Sequence, residues 1–339
     1  MYKITFLLLV IMVFACAESS EVKKQRFLLK GNEAVKERNF EQARKYYTEA
    51  LRYDSCFADA WNNLGTMAYR QKKYQQAAHE YEQAILCKPD FWNAYINRAN
   101  TFYELNELYR AEQDLNKLLQ VWPDTFNVHF ALGLVYTKMR DYPKAIQSFD
   151  KSLSIQPQDA EALINKGTVL YYQKRFDEAE ELLQQAISIN PKEANAFNAL
   201  ALIQIEKGNL NEALDMLNHA LQLQPGQPYF LNNRGFIFLQ MAEMEKAEED
   251  INNSMLKDPY NAWVHRNKGL IYFYRKDYGN AIRLLEQSAN IDPFVDKVYF
   301  YLGNVYKAAG QMEKACSSWR ESVKRKEAVA ENALNLSCR

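Results

Sequence analysis

Residues 58–91 read ADAWNNLGTMAYRQKKYQQAAHEYEQAILCKPDF. Two amphipathic helices lie back to back in this stretch. Trp61, Leu64, Gly65 and Ala68 mark one face of the first; Tyr74, Ala77, Tyr81 and Ala84 mark one face of the second. Apolar residues at i, i+3, i+4 and i+7 share one side of a helix. Gly65 and Ala77 are the informative small residues, because two helices approach closely only where side chains are absent or short. Pro89 lacks an N–H and restricts the residue before it, so it closes the second helix and opens the next turn.

Moving this frame by 34 residues finds the same unit along nearly the whole chain, with no insertion. The Gly65 position is Gly or Ala in nine copies: Gly31, Gly65, Ala99, Gly133, Gly167, Ala201, Gly235, Gly269 and Gly303. The Ala77 position is Ala in all nine, from Ala43 to Ala315. Pro89 recurs as Pro123, Pro157, Pro191, Pro225, Pro259 and Pro293, so one column takes seven of the nine prolines. The remaining two, Pro143 and Pro228, fall at helix starts, where proline is tolerated.

The Trp, Leu-Gly, Tyr, Ala, aromatic, Ala and Pro positions of 58–91 resemble, in order, the tetratricopeptide repeat. The resemblance implies an all-α fold, a right-handed α-solenoid of about nine helix-turn-helix repeats over residues 24–329. A repeat array buries its core between neighbours, so one continuous solenoid is expected rather than two globular domains. Residues 330–339 then form a helical cap for the open end.

Met1 to Ala15 reads as a targeting segment: Lys3, an apolar run from Ile4 and a small residue before Cys16. The run is too short to span a bilayer as a helix, which takes about 20 apolar residues. Val13-Phe14-Ala15-Cys16 resembles the bacterial lipobox, although Phe14 is bulkier than that pattern prefers. An ordinary signal peptide with a coincidental Cys is the rival. The expectation is an exported, envelope-bound protein anchored to the outer membrane through a lipid on Cys16, with 16–23 as a polar tether. The Cys-x-x-Trp of the last repeat and the near-terminal Cys338 resemble the ends of exported repeat proteins of Bacteroidetes type.

Apart from Cys16 there are four cysteines, which an exported chain can oxidise. Cys316 lies on the last repeat's second helix and Cys338 on the cap expected to fold against it. Cys56 and Cys87 lie at the same end of an antiparallel pair, so a bridge between them is geometrically allowed. No C-x-x-C pair or H-x₃₋₅-H partner points to a metal, and no cofactor is expected. His129 and His265 occupy the Trp61 column, a packing position. No H-E-x-x-H, G-x-S-x-G or phosphate-cradling loop appears, so an enzyme is not expected. With 42 basic and 42 acidic residues there is no excess of either sign, which argues against nucleic acid as the main ligand.

First helices of successive repeats line the inner groove of a tetratricopeptide solenoid. One of their inner columns holds Asn63, Asn97, Asn165, Asn233 and Asn267, interrupted by Leu29, Ala131, Ala199 and Tyr301. Asn is a poor residue inside a helix, because its amide competes for nearby backbone. An amide also offers donors and an acceptor to a peptide bond without reading its side chain. The column is similar to the asparagine ladder of O-linked N-acetylglucosamine transferase solenoids, which implies an extended peptide held by its backbone. Tyr69, Tyr103, Tyr171 and Phe273 share a second inner column that would add apolar contacts. The rival reading of the amides is bonding to a neighbouring helix or to water.

The function expected is a non-catalytic scaffold that binds protein or extended peptide segments in its groove. Two alternatives stand beside it: a structural subunit acting through its outer surface, and a carboxylate-clamp receptor for chaperone tails. The second has Asn32 and Asn63 in place, but Leu28, Asn93 and Asn97 where basic residues belong.

Overall fold

A computed structural model describes residues 18–338. The targeting segment and Cys16 lie outside the described residues. The chain divides into two compact units, Met1–Pro157 and Gln158–Arg339. In the first, α1 (Ser20–Lys36), α2 (Phe40–Tyr53), α3 (Ala58–Arg70) and α4 (Tyr74–Cys87) are followed by α5 (Trp92–Glu104), α6 (Leu108–Val121), α7 (Phe126–Lys138) and α8 (Tyr142–Ile155). The second opens with α9 (Ala160–Tyr172), α10 (Phe176–Ile189), α11 (Ala194–Lys207), α12 (Leu210–Leu223) and α13 (Pro228–Gln240). It continues with α14 (Met244–Lys257), α15 (Ala262–Tyr274), α16 (Tyr278–Ile291), α17 (Val298–Ala308), α18 (Met312–Lys324) and α19 (Val329–Ser337). Successive helices pair as hairpins, four in the first unit and five in the second, and α19 packs on α18. The architecture is the expected all-α solenoid.

Two devices make the repeat regular. At Gly65 an added Cβ would lie 2.7 Å from the Tyr81 ring, and at Gly303 one would lie 2.3 Å from Trp319. Gly31, Gly65, Gly133 and Gly303 thus yield their side-chain space to a large ring sixteen residues on, in the second helix, whereas Gly167, Gly235 and Gly269 face Leu183, Ile251 and Leu285. Ala99 and Ala201, which do carry a Cβ, have Leu115 and Leu217 sixteen residues on. The second device is the turn. Arg38, Lys72, Asn106, Arg140, Lys174, Gly208, Ala242, Lys276 and Gly310 all have φ between 58° and 82°. That left-handed residue lets the next N–H reach back, as Lys73 does to the Ala68 carbonyl at 2.9 Å. The first helix of each pair therefore ends in the same reversal, whatever side chain sits at the turn.

One boundary needs correcting. The stretch expected to be a tether already enters α1 at Ser20. Ser19 caps it by accepting from the Val22 N–H, Ser20 Oγ donates to the Tyr53 carbonyl, and Lys24 Nζ lies 2.7 Å from Asp54. A polar sequence without a core of its own is held here by bonds to α2 and its exit.

Candidate functional site

The expected inner columns fall on the first helices α3, α5, α9, α13 and α15. The amide nitrogens of the Asn column are largely committed to the preceding repeat. Asn97 Nδ2 donates to Asn62 Oδ1 at 3.1 Å, Asn233 to Asn198 at 2.8 Å and Asn267 to Asn232 at 2.8 Å. Each acceptor is an Asn 35 residues earlier. Asn63 has Leu28 at that spacing and donates instead to Asn32, at 3.1 Å. Asn165 has Phe130 there and turns to its own helix, at the Glu161 carbonyl. Asn267 is 0% exposed, and its Oδ1 accepts from Arg266 Nε at 2.9 Å. Its amide is therefore occupied on both sides, whereas Asn63, Asn97, Asn165 and Asn233 stay half-buried on the groove side.

This arrangement makes Asn267 a structural amide first. Asn267→Ala is expected to lower the unfolding free energy by about 2 kcal/mol, because it strands buried Asn232 and the Arg266 Nε–H. The better helix propensity of Ala recovers only a few tenths of a kcal/mol. A urea melt of the variant checks it; a midpoint equal to that of the parent would remove the idea.

In the aromatic column, three rings pack against the first residue of the following helix. Tyr69 meets Tyr74 at 5.4 Å, Tyr171 meets Phe176 at 5.8 Å and Phe273 meets Tyr278 at 6.3 Å. Tyr103 instead lies under Lys138 Nζ at 4.3 Å. Burial pushes the Tyr69, Tyr103 and Tyr171 phenols up. His129 and His265 each place Nε2 on the carbonyl of a repeat-closing proline, Pro123 at 2.6 Å and Pro259 at 2.8 Å. Trp61 Nε1 makes the equivalent bond to Ser55. The two imidazoles thus take a packing column's ordinary hydrogen bond. Cys56 and Cys87 form a disulfide, as do Cys316 and Cys338.

A pocket of 380 Å³ lies wholly within the second unit, built mainly from α9, α11, α13, α15 and α17. Tyr171 and Asn233 line it, beside Phe236, Trp263, Arg266 and Tyr301. A smaller pocket of 200 Å³ in the first unit is lined by Asn32, Tyr47, Asn63, Thr66 and Arg70, among others. Arg266 had no sequence signal beyond being a cation in an inner column. It is 3% exposed, and no carboxylate lies within ion-pair distance among the described residues. Its Cζ stands 4.5 Å from the Phe236 ring centre and 4.7 Å from that of Trp263. Burial draws the guanidinium below its ordinary pKa, although Asp296 and Glu206 oppose that from a distance. At the same mouth Lys297 Nζ lies 3.2 Å from Asp296 and 3.9 Å from Glu206. Burial pulls its pKa down, but those two acids outweigh it and leave it raised.

Two overlapping matches cover residues 28–229. Residues 93–229 match the family described as cytochrome c-type biogenesis protein H TPR domain, and residues 28–94 match a tetratricopeptide repeat family. A further tetratricopeptide match covers 297–325. Fold and repeat together define an α-solenoid of helix-turn-helix units, the architecture of protein–protein interaction scaffolds. The chain belongs to the tetratricopeptide repeat family. Among solved structures it is similar to the APC/C hetero-tetramer Cut9-Hcn1, at 19% identity and a TM-score of 0.63, covering 89% of this chain and 60% of that one. It is also similar to a human IFIT1 dimer with m7Gppp-AAAA, at 19% identity and a TM-score of 0.58, covering 81% and 70% respectively. Pseudomonas aeruginosa PilF matches at 21% identity and a TM-score of 0.50, covering 64% of this chain and 97% of that one. At such identities the likeness is one of fold. No curated protein matches the chain.

Proposed function

We propose that this protein is a non-catalytic scaffold of a bacterial cell envelope, lipid-anchored through Cys16, that binds extended peptide or protein segments along the inner face of its first helices. The observation that carries the reading is the 380 Å³ pocket of the second unit, where the inner columns meet aromatic walls and a buried cation. Apolar walls with a few converging polar groups are what a binding site offers. Balanced charge, 42 basic against 42 acidic residues, favours a peptide over a polyanion. Export draws support from the two disulfides, since such bonds persist in oxidising compartments. The outer-surface alternative has its own support in Leu256 and Tyr260, 83% and 82% exposed.

A photo-crosslinking residue placed at Gln240 on the groove, or at Glu249 on a second helix, separates the two readings in intact cells. A partner captured from position 240 and not from 249 is expected; the reverse would replace groove binding with an assembly role. In the same cells an alkyne fatty acid should label the parent chain and not Cys16→Ser. Equal labelling of both would remove the anchor.

A further inference from the structure

Repeat nine departs from repeats two to eight at its first turn. Asp296 stands where Ala58, Trp92, Phe126, Ala160, Ala194, Pro228 and Ala262 each begin a first helix. Here the helix starts two residues later, at Val298, and spans 11 residues. Lys297, just before it, has a φ of 58°, a left-handed conformation that costs an L-residue about 1–2 kcal/mol. It is fixed there by Glu327, whose Oε1 accepts from its N–H at 2.8 Å. The unwound turn points the Asp296 carbonyl at Arg266, whose Nη1 donates to it at 3.0 Å.

The result is a cation built into the pocket and left incomplete. A guanidinium has five N–H donors. Arg266 uses Nε on Asn267 and Nη1 on Asp296, and its Nη2 has no hydrogen-bond partner among the described residues. Aromatic rings hold its faces, Phe236 and Trp263 closest, with Tyr301 at 5.9 Å. A buried charge that lacks a counter-charge costs stability, and one supplied by a ligand repays it.

Resting on the groove reading, we propose that the Arg266 pocket captures one carboxylate side chain, Asp or Glu, from the segment lying along the first helices. A planar guanidinium fork matches a carboxylate. Glu206 and Asp296 share Lys297 at the pocket mouth, which opposes a dianion such as phosphate while tolerating a single charge. Five first helices, α9 to α17, contribute to the pocket, so a segment crossing them passes Arg266 instead of ending at it.

The test uses the unaltered full chain and dye-labelled nine-residue peptide pools with degenerate flanks and both ends blocked. One pool has Glu at its centre, a second has Gln, and a third has Gln with a free C-terminal carboxylate. Fluorescence anisotropy should show the Glu pool binding about tenfold or more tighter than the blocked Gln pool, the scale of one charge-assisted hydrogen bond. Arg266→Met should bring the two to the same affinity. Equal binding of Glu and Gln pools to the parent overturns the proposal and leaves groove binding standing. Preference for the third pool overturns it in favour of a chain end. If no pool binds while crosslinking at position 240 still captures a partner, the carboxylate capture is wrong and the groove is not. If neither occurs, both fall.

Discussion

Replacing Arg98 by Leu should destabilise the protein by about 3–5 kcal/mol, the cost of stranding a buried charge. Arg98 sits in the column of Leu64, where most repeats place Leu or Lys. Its Nε and Nη2 donate to the two oxygens of Asp114 at 2.8 and 2.7 Å. The Asp114 side chain is 8% exposed and that of Arg98 15%. Four repeats further on, Arg234 and Asp250 repeat the arrangement at 2.7 and 2.9 Å. Arginine enters this column only where an aspartate follows sixteen residues later. Removing Arg98 alone leaves Asp114 buried without its bidentate counter-charge. The sixth repeat holds the apolar solution, Leu200 with Met216. Arg98→Leu combined with Asp114→Met should therefore return to within about 1 kcal/mol of the parent, or exceed it, because a buried pair offsets little more than its own desolvation. Urea melts followed by circular dichroism decide this. A single variant that loses less than 1 kcal/mol would sink the argument, and so would a double variant no better than the single.

The pair also marks how far the sequence could be read. Gly65, Ala77 and Pro89 are legible because each is demanded by a backbone constraint: close approach or helix termination. These columns carry the fold. Arg98 and Arg234 look like lapses in an apolar pattern until their aspartates are counted sixteen residues on. The left-handed turn column is harder, since Arg, Lys, Asn, Ala and Gly all occupy it. What fixes that conformation is the reach-back hydrogen bond, which any residue can serve. The Asn column was legible as a position and ambiguous as chemistry. A signal for its partners did exist: Asn97, Asn233 and Asn267 each follow another Asn by 35 residues, and Asn165 does not. The unwound turn at Asp296 and Lys297 left no trace in the spacing, because Pro293 keeps its register while the helix after it starts late.

Breaking the Cys316–Cys338 bridge is expected to cost about 3 kcal/mol, and the loss should be local. The bond closes a loop of 22 residues between α18 and the end of α19. Among the described residues α19 packs mainly on α18, so it is expected to fray before a helix held on both sides. Its packing is modest: Ala330 is fully buried against the Trp319, Leu302 and Val305 cluster, while Leu334 and Cys338 are partly buried there. Leu336 faces solvent at 83% exposure. Without the bridge, α19 keeps that small contact and one side-chain bond, from Lys307 Nζ to Ser337 Oγ at 3.1 Å. In Cys316→Ala, Cys338→Ser protein, amide exchange should accelerate first in residues 329–337 and leave α9 to α12 unchanged. A second effect should follow through Glu327, which joins the turn before α19 to the Lys297 N–H and to Ser322 Oγ. If the cap frays, that carboxylate loses its anchor and the left-handed Lys297 is free to relax. Peptides covering 293–301 should then exchange faster too, and any groove ligand should bind more weakly. Unchanged protection across 329–337 would mean that packing alone holds the cap. Faster exchange there with 293–301 unaltered would keep the bridge as a local clamp and cut its link to the pocket.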